Sequence, residues 1–236
     1  MRDAPDVVYI VSAFLSAYNA RAFGVRDYIA QLMFNSPPGH SDAMDLAKML
    51  AALELVRPLE NDTFRVYRQT RTGLLSYPVD PVASRAHLAT SVYMQMALKP
   101  HIIHVVGHTE AHHAATAEDV IEACGLARRA VENALEGAPD MTADPAIRRR
   151  VSDLVAEARI TLKAIASLAE KDTTDPFTDA GVLARAVSTG IMDAPQLRNN
   201  PFACGKIATR IIDGACVAVD STGQPLSETD RLNPFL

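Results

Sequence analysis

Tryptophan is absent, and aromatic residues of all kinds make up only 6% of the chain. Cysteine is scarce as well. Cys124, Cys204 and Cys216 are odd in number and widely spaced, with no CxxC pair. That excludes a disulfide framework and a zinc ribbon and fits reduced thiols. No apolar run approaches the ~20 residues that a membrane span needs. The first residues, with Arg2, Asp3 and Asp6, lack the apolar core of a signal peptide, so a cytoplasmic location is expected. No strongly basic segment exists and the net charge is −5, which argues against nucleic acid or an anionic membrane surface as the main partner. No GxGxxG or Walker motif follows a candidate strand, which weakens a nucleotide-binding open sheet. Repeats and low-complexity tracts are missing too.

What is present is an ordinary folded composition, 48% hydrophobic and 22% charged over 236 residues, with apolar segments of alternating type. Val7–Leu15, "VVYIVSAFL", is a continuous β-branched run that reads as a strand covered on both faces. "GVRDYIAQLMF" reads as a short helix ending at the "NSPPG" turn. "SDAMDLAKMLAALELV" carries the helical stripe Leu46, Leu50, Leu53, Val56, with Asp42 as its cap. Thr63–Thr70 reads as a strand. The following helix has the stripe Val82, Ala86, Ala89, Tyr93, Met96, and "HIIHVV" at 101–106 is a third strand. Thr116 with Asp119 forms a capping-box pattern opening a helix 117–135, with Val120, Cys124, Ala127, Val131 and Ala134 inward. A long helix over 146–170, a shorter one over 179–189 and a strand and turn over 214–226, with Gly223 left-handed, complete the chain.

Alternating strands and helices imply an α/β fold with a parallel sheet, either open and doubly wound or part of a (β/α)8 barrel. Three convincing strands fall short of the eight a closed barrel requires. In both architectures function gathers at the C-terminal strand ends. That places Ser16, Tyr18 and Asn19, then Arg68 and Arg71, then Gly107, His108, Thr109 and Glu110 on one rim.

Five of the seven histidines fall between His101 and His113, around Glu110. His104, His108 and His112 are spaced by four, but His104 lies in a strand, where that spacing does not bring side chains together. His112 and His113, as neighbours, diverge on a helix. Strand residues at His101 and His104 and loop residues at His112 and His113 are the simpler reading. Glu110 has two readings: a rim carboxylate that grips a ligand hydroxyl or moves a proton, or a carboxylate favoured by a helix dipole. Arg71 is either a surface group or a carboxylate clamp beneath a closing "TGLLSYP" loop.

The span from Tyr77 to Glu110, "YPVDPVASRAHLATSVYMQMALKPHIIHVVGHTE", resembles the large-subunit barrel of coenzyme B12-dependent glutamate mutase (methylaspartate mutase). That family has a similar aromatic-Pro-x-Asp, an alanine-rich helix, a strand, and a loop with Glu-Ala before a Thr-started helix. "VLARAVSTGIMDAP" at 182–195 is similar to its Gly-x-Met-Asp-x-Pro segment, and "DAMDLAKMLAALELV" to its preceding helix. The resemblance spans about 41–232 and implies the C-terminal half of a TIM barrel. Residues 1–140 would be half-barrel β/α units, and 141–236 a helix-rich extension with a short β-turn tail in the same domain.

The resemblance implies a component of an adenosylcobalamin-dependent carbon-skeleton mutase, an isomerase working by radical chemistry. Glu110 would meet the ribose of the adenosyl group. Leu74 stands where the family has a methionine, Arg71 where it has a histidine, and Val106 where it has a lysine. Gly107, His108 and Thr109 would line the cofactor, and Arg71 and Glu110 would carry the chemistry. The family's substrate-clamping arginines and the cobalamin subunit's DxHxxG motif have no counterpart here. Expected partners are therefore an N-terminal barrel-half chain, a small cobalamin-binding subunit and an amino-acid or carboxylic-acid substrate, in a hetero-oligomer. Half a barrel leaves strand edges and an apolar interior open, so another molecule must cover them. Two rivals stand beside this: a scaffolding subunit that completes a partner barrel, and a metal-dependent hydrolase using His108, His112 and Glu110.

Overall fold

The structure is a computed structural model describing residues 3–236. The first element is a helix, α1 (Asp6–Ala22), and not the expected strand over Val7–Leu15. A continuous apolar run is compatible with either state. Here α1 packs against both α2 (Asp42–Val56) and α5 (Pro145–Ala166), so Val7, Val8, Ile10 and Val11 are all buried. Ser16, Tyr18 and Asn19 consequently sit in a helix and not at a strand end.

The segment expected as a short helix is instead the first strand, β1 (Asp27–Phe34). Tyr28, Ala30, Leu32 and Phe34 turn inward, while Asp27, Ile29, Gln31 and Met33 are more exposed, the period-two pattern of a strand. β1 pairs in parallel with β2 (Arg65–Thr72), and β2 with β3 (Ile102–His104), so that Met33, Arg71 and His104 stand in one row. β3 is shorter than the apolar run at 101–106 suggested.

The strand order is β1-β2-β3, without a reversal. Right-handed crossovers in one direction put the connecting helices on one face. Accordingly α2 contacts β1, α3 (Pro81–Gln95) contacts β2, and α2 contacts α3. The even-numbered strand residues Leu32, Phe34, Val66, Thr70 and Thr72 are buried on that face. The opposite face, odd-numbered in β1 and β2 and even-numbered in β3, is open: Ile29 is 49% and Ile102 40% exposed, with Gln31 and His104 exposed beside them.

α4 (Ala117–Gly137) begins at the expected capping box, Thr116 with Asp119. It buries Ala123, Ala127 and Ala130 and leaves Val120 and Cys124 exposed, so its inward face is turned from the expected one. α3 also presents a different face. Ser84, Leu88, Ser91, Val92 and Gln95 are buried, and Val82 is 74% exposed. The polar members of that face join hydrogen bonds beneath the sheet. Thr72 donates to Ser91 (2.9 Å), Ser91 to the Asn35 side-chain oxygen (2.7 Å), and Gln95 to Thr72 (3.1 Å) and Ser91 (3.0 Å).

The later segments share the first core. Ile147, Leu154, Ala158 and Ile165 of α5, Val182 and Ala186 of α6 (Ala180–Ser188) and Leu232 of α7 (Glu228–Leu232) cluster with Val8, Leu46 and Leu53. An antiparallel hairpin, β4 (Ala208–Ile212) with β5 (Ala215–Val219), extends the strand expected over 214–226 by a partner the sequence did not reveal. Gly223 takes the left-handed conformation, φ 88°. No helix among the described residues is long and apolar enough to cross a membrane.

Candidate functional site

The C-terminal ends of the three strands and the loops after them form the rim. Where β2 ends, the Gly73 N–H donates to Phe34 O at 2.8 Å, and a Cβ at Gly73 would stand 2.9 Å from Asn35 O. Glycine is thus required for the chain to leave β2 against the end of β1. Leu74 begins a single 3-10 turn, Leu74–Ser76, with its side chain partly exposed.

After β3, Val105 and Val106 lead into Gly107. A Cβ on Gly107 would lie 3.1 Å from the Ala115 Cβ and 3.7 Å from the Glu110 Cγ. The loop therefore folds back closely over Gly107, where a side chain would crowd Ala115, and it brings Glu110 against the 107 backbone. A turn with Glu110 N donating to Gly107 O (3.4 Å) and His113 N to Thr109 O (2.9 Å) holds it. Glu110 itself is exposed.

The expected rim residues divide in two. Arg71 and Glu110 come near a residue not singled out beforehand, Tyr77. Arg71 Nε, Thr109 Oγ1 and the Tyr77 hydroxyl are buried without a hydrogen-bond partner. Tyr77 is pushed up to about 12: burial raises it most, Thr72 and Arg71 pull it down, and Glu110 pushes it up. Tyr77 lay within the aromatic-Pro motif, and the available signal was its place five residues beyond the end of β2.

His108 and Arg68 fall elsewhere. The His108 ring is buried with neither nitrogen hydrogen-bonded, and its Nε2 lies 3.4 Å from Glu122 of α4. Glu122 in turn accepts from Arg85 of α3 (3.1 Å from NH2), and Ser84 donates to the His108 carbonyl. His108 thus anchors the loop to the helices and faces away from the rim. Arg68 is in mid-strand and donates from NH2 to Lys99 O at 2.8 Å, at the opposite end of β3.

The remaining histidines do not converge. His101 accepts from Arg68 N through Nδ1 at 3.0 Å. His104 is exposed in the row of Arg71. His112 and His113 sit in an exposed turn, their Nδ1 atoms 2.9 Å apart, and His113 Nε2 lies 3.0 Å from Asp119. Among the described residues no three His, Cys, Asp or Glu side chains form a ligand set for a metal ion.

A second buried polar cluster lies behind the β1–α2 loop. Lys48 is 2.8 Å from Asp45 and donates to Ser36 O at 2.8 Å, while His40 Nε2 is 2.8 Å from Asp6. Arg150 reaches Asp6 at 3.6 Å. Asp6 thus gathers His40, Lys48 and Arg150, and Lys48 is shared with Asp45. Comparison with known proteins adds no name to this rim: no family model and no curated protein matches the chain.

Proposed function

We propose that this chain is part of a (β/α)8 barrel, corresponding to its C-terminal half, in an adenosylcobalamin-dependent carbon-skeleton mutase similar to glutamate mutase. One observation carries the reading. Three parallel strands run in sequential order with their helices on one face, and the opposite face is open beside the Arg71–Glu110 rim. A doubly wound sheet reverses its order and covers both faces. A barrel keeps its order and turns one face inward. The open face with its edges would then be closed by another polypeptide.

The rim residues suit the adenosyl group. The exposed Glu110 carboxylate is an acceptor for ribose hydroxyls, Thr109 Oγ1 is without a partner, and Leu74 offers apolar surface. Gly107 leaves the backbone approachable. Adenosylcobalamin supplies the hydrogen-abstracting radical when bound, and the protein supplies orientation and exclusion of water. Glu110 holds the ribose, Arg71 meets a substrate carboxylate, and the loops 71–80 and 107–116 wall the cavity. Val106 is buried among Leu88, Val92 and Ala123 and brings no charge to the cofactor. That favours a second reading, a scaffolding subunit completing a partner barrel.

The test is co-purification from the native host, with identification of accompanying chains and measurement of adenosylcobalamin binding by the assembly. The mutase reading expects Glu110→Gln to lower turnover by about tenfold or more with an unchanged melting temperature. Full activity in Glu110→Gln would select the scaffolding reading.

A further inference from the structure

The sequence points to Arg71 and Glu110 but does not single out Tyr77, and the structure makes it the most confined polar group on the rim. Its ring is 5% exposed, packed with Leu88, Val92 and Val106. It meets His87 edge-on, with ring centroids 5.2 Å apart at 88°. His87 Nε2 is occupied by Ser76 Oγ at 2.8 Å. Thr72, the nearest polar neighbour on β2, has given its hydrogen to Ser91 and one lone pair to Gln95. Thr72 lies close enough to lower the Tyr77 phenol, yet no group of the chain stands in hydrogen-bonding geometry to the Tyr77 hydroxyl. Buried donors in folded proteins are nearly always paired, and an orphaned one beside an orphaned guanidinium nitrogen marks a place where a ligand supplies the acceptors.

We propose that Tyr77 and Arg71 form a carboxylate-binding subsite, the phenol donating to one ligand oxygen and the guanidinium to the same group. The assignment rests on the reading of this rim as the wall of a substrate cavity, and names the substrate as a small carboxylic acid. The charge favours carboxylate over phosphate. One arginine stands here with Glu110 nearby, so the one charge of a carboxylate group is matched and the two charges of a phosphate group are not, while the second carboxylate of a dicarboxylic acid lies several bonds away from the subsite. The phenol stays protonated, and so remains a donor, throughout the neutral range.

Calorimetric titration of the full chain, purified with whatever partners it carries, tests this with succinate as probe and succinamide as the uncharged control. Succinate binds and succinamide does not. Tyr77→Phe, which keeps the ring packing, weakens succinate binding about tenfold or more, as expected for a lost hydrogen bond to a charged group. Equal affinity in Tyr77→Phe, or no succinate binding by the wild type, overturns the proposal. Where Tyr77→Phe does not fold, wild-type protein decides: succinate shields Arg71 from phenylglyoxal in a peptide-mass readout, and unshielded modification overturns the subsite. Adenosylcobalamin binding by the same assembly is read separately. Cobalamin binding without succinate binding overturns the subsite alone. Succinate binding without cobalamin binding upholds the subsite and overturns the mutase reading, and loss of both overturns both.

Discussion

Single side chains in this protein are held by charge as much as by apolar packing. Lys48 is almost fully buried, with Asp45 at 2.8 Å and Asp6 at 3.9 Å. Removing one partner of a buried pair leaves the other charge without compensation, which costs about 3–5 kcal/mol. Lys48→Met should therefore lower unfolding stability by that amount in urea titration, despite its good match in volume. Asp193 is a further case. Its carboxylate accepts from the N–H groups of Ala194 and Gly205 on one oxygen and of Lys206 and Ile207 on the other, all at 2.9–3.0 Å. It thereby gathers the chain that leads into β4. The sequence offered no signal for this role, because three of the four donors come from backbone that only the fold brings around this side chain.

At the scale of elements, the capping box of α4 gives a pH prediction. Asp119 is held down at about 2, chiefly by Thr116, whose backbone N–H and hydroxyl both donate to it, and then by His113. A carboxyl lowered in the folded state stabilises above its unfolded value, near 4, and that contribution is lost as pH falls through the folded value. Asp119→Asn should thus melt below the wild type at pH 7. The gap should narrow from about pH 4 downward and close near pH 2, as followed by circular dichroism at 222 nm, a wavelength at which helix reports about its strongest signal. The same element shows how far local pattern reaches. Thr116 and Asp119 interact within four residues, so the cap was legible. The inward face of α4 was not, because which alanines meet α3 depends on how the two helices lie together. For α1 and β1 the pattern misled in both directions. A run of apolar residues is buried by two helices as readily as by two layers of a sheet. The alternation in β1 was masked by Ile29 and Met33, apolar residues on the open side.

For the molecule as a whole, the open sheet face and the apolar groups near it set the expectation. Ile29 and Ile102 stand on that face, and Leu75 and Val79 are exposed in the loop after β2. Exposed contiguous apolar surface marks an interaction site. Ile29→Lys with Ile102→Lys should change the stability of the chain by less than about 1 kcal/mol, and on the half-barrel proposal it should abolish co-purification of the proposed partner polypeptide. Retention of the partner would show that it binds elsewhere. The α1 side of β1 is already engaged: the Tyr9 hydroxyl donates to Gln31 O at 3.2 Å and accepts from Met33 N at 3.2 Å. On the half-barrel proposal, a strand joining β1 must displace those two bonds, so Tyr9→Phe should strengthen binding of the proposed partner in a pull-down titration.

What the sequence determined by itself was the α/β class, the helices α2 to α6 within a few residues and the strand β2. These rest on contacts between near neighbours and on one periodicity per segment. Only the tertiary structure decided that residues 7–15 are helical, that the parallel strands lie in sequential order with their helices on one face, and that Tyr77 lies near Arg71 while His108 turns away. Each of those depends on which surface meets which, and burial between distant segments outweighs the local preference of any one of them.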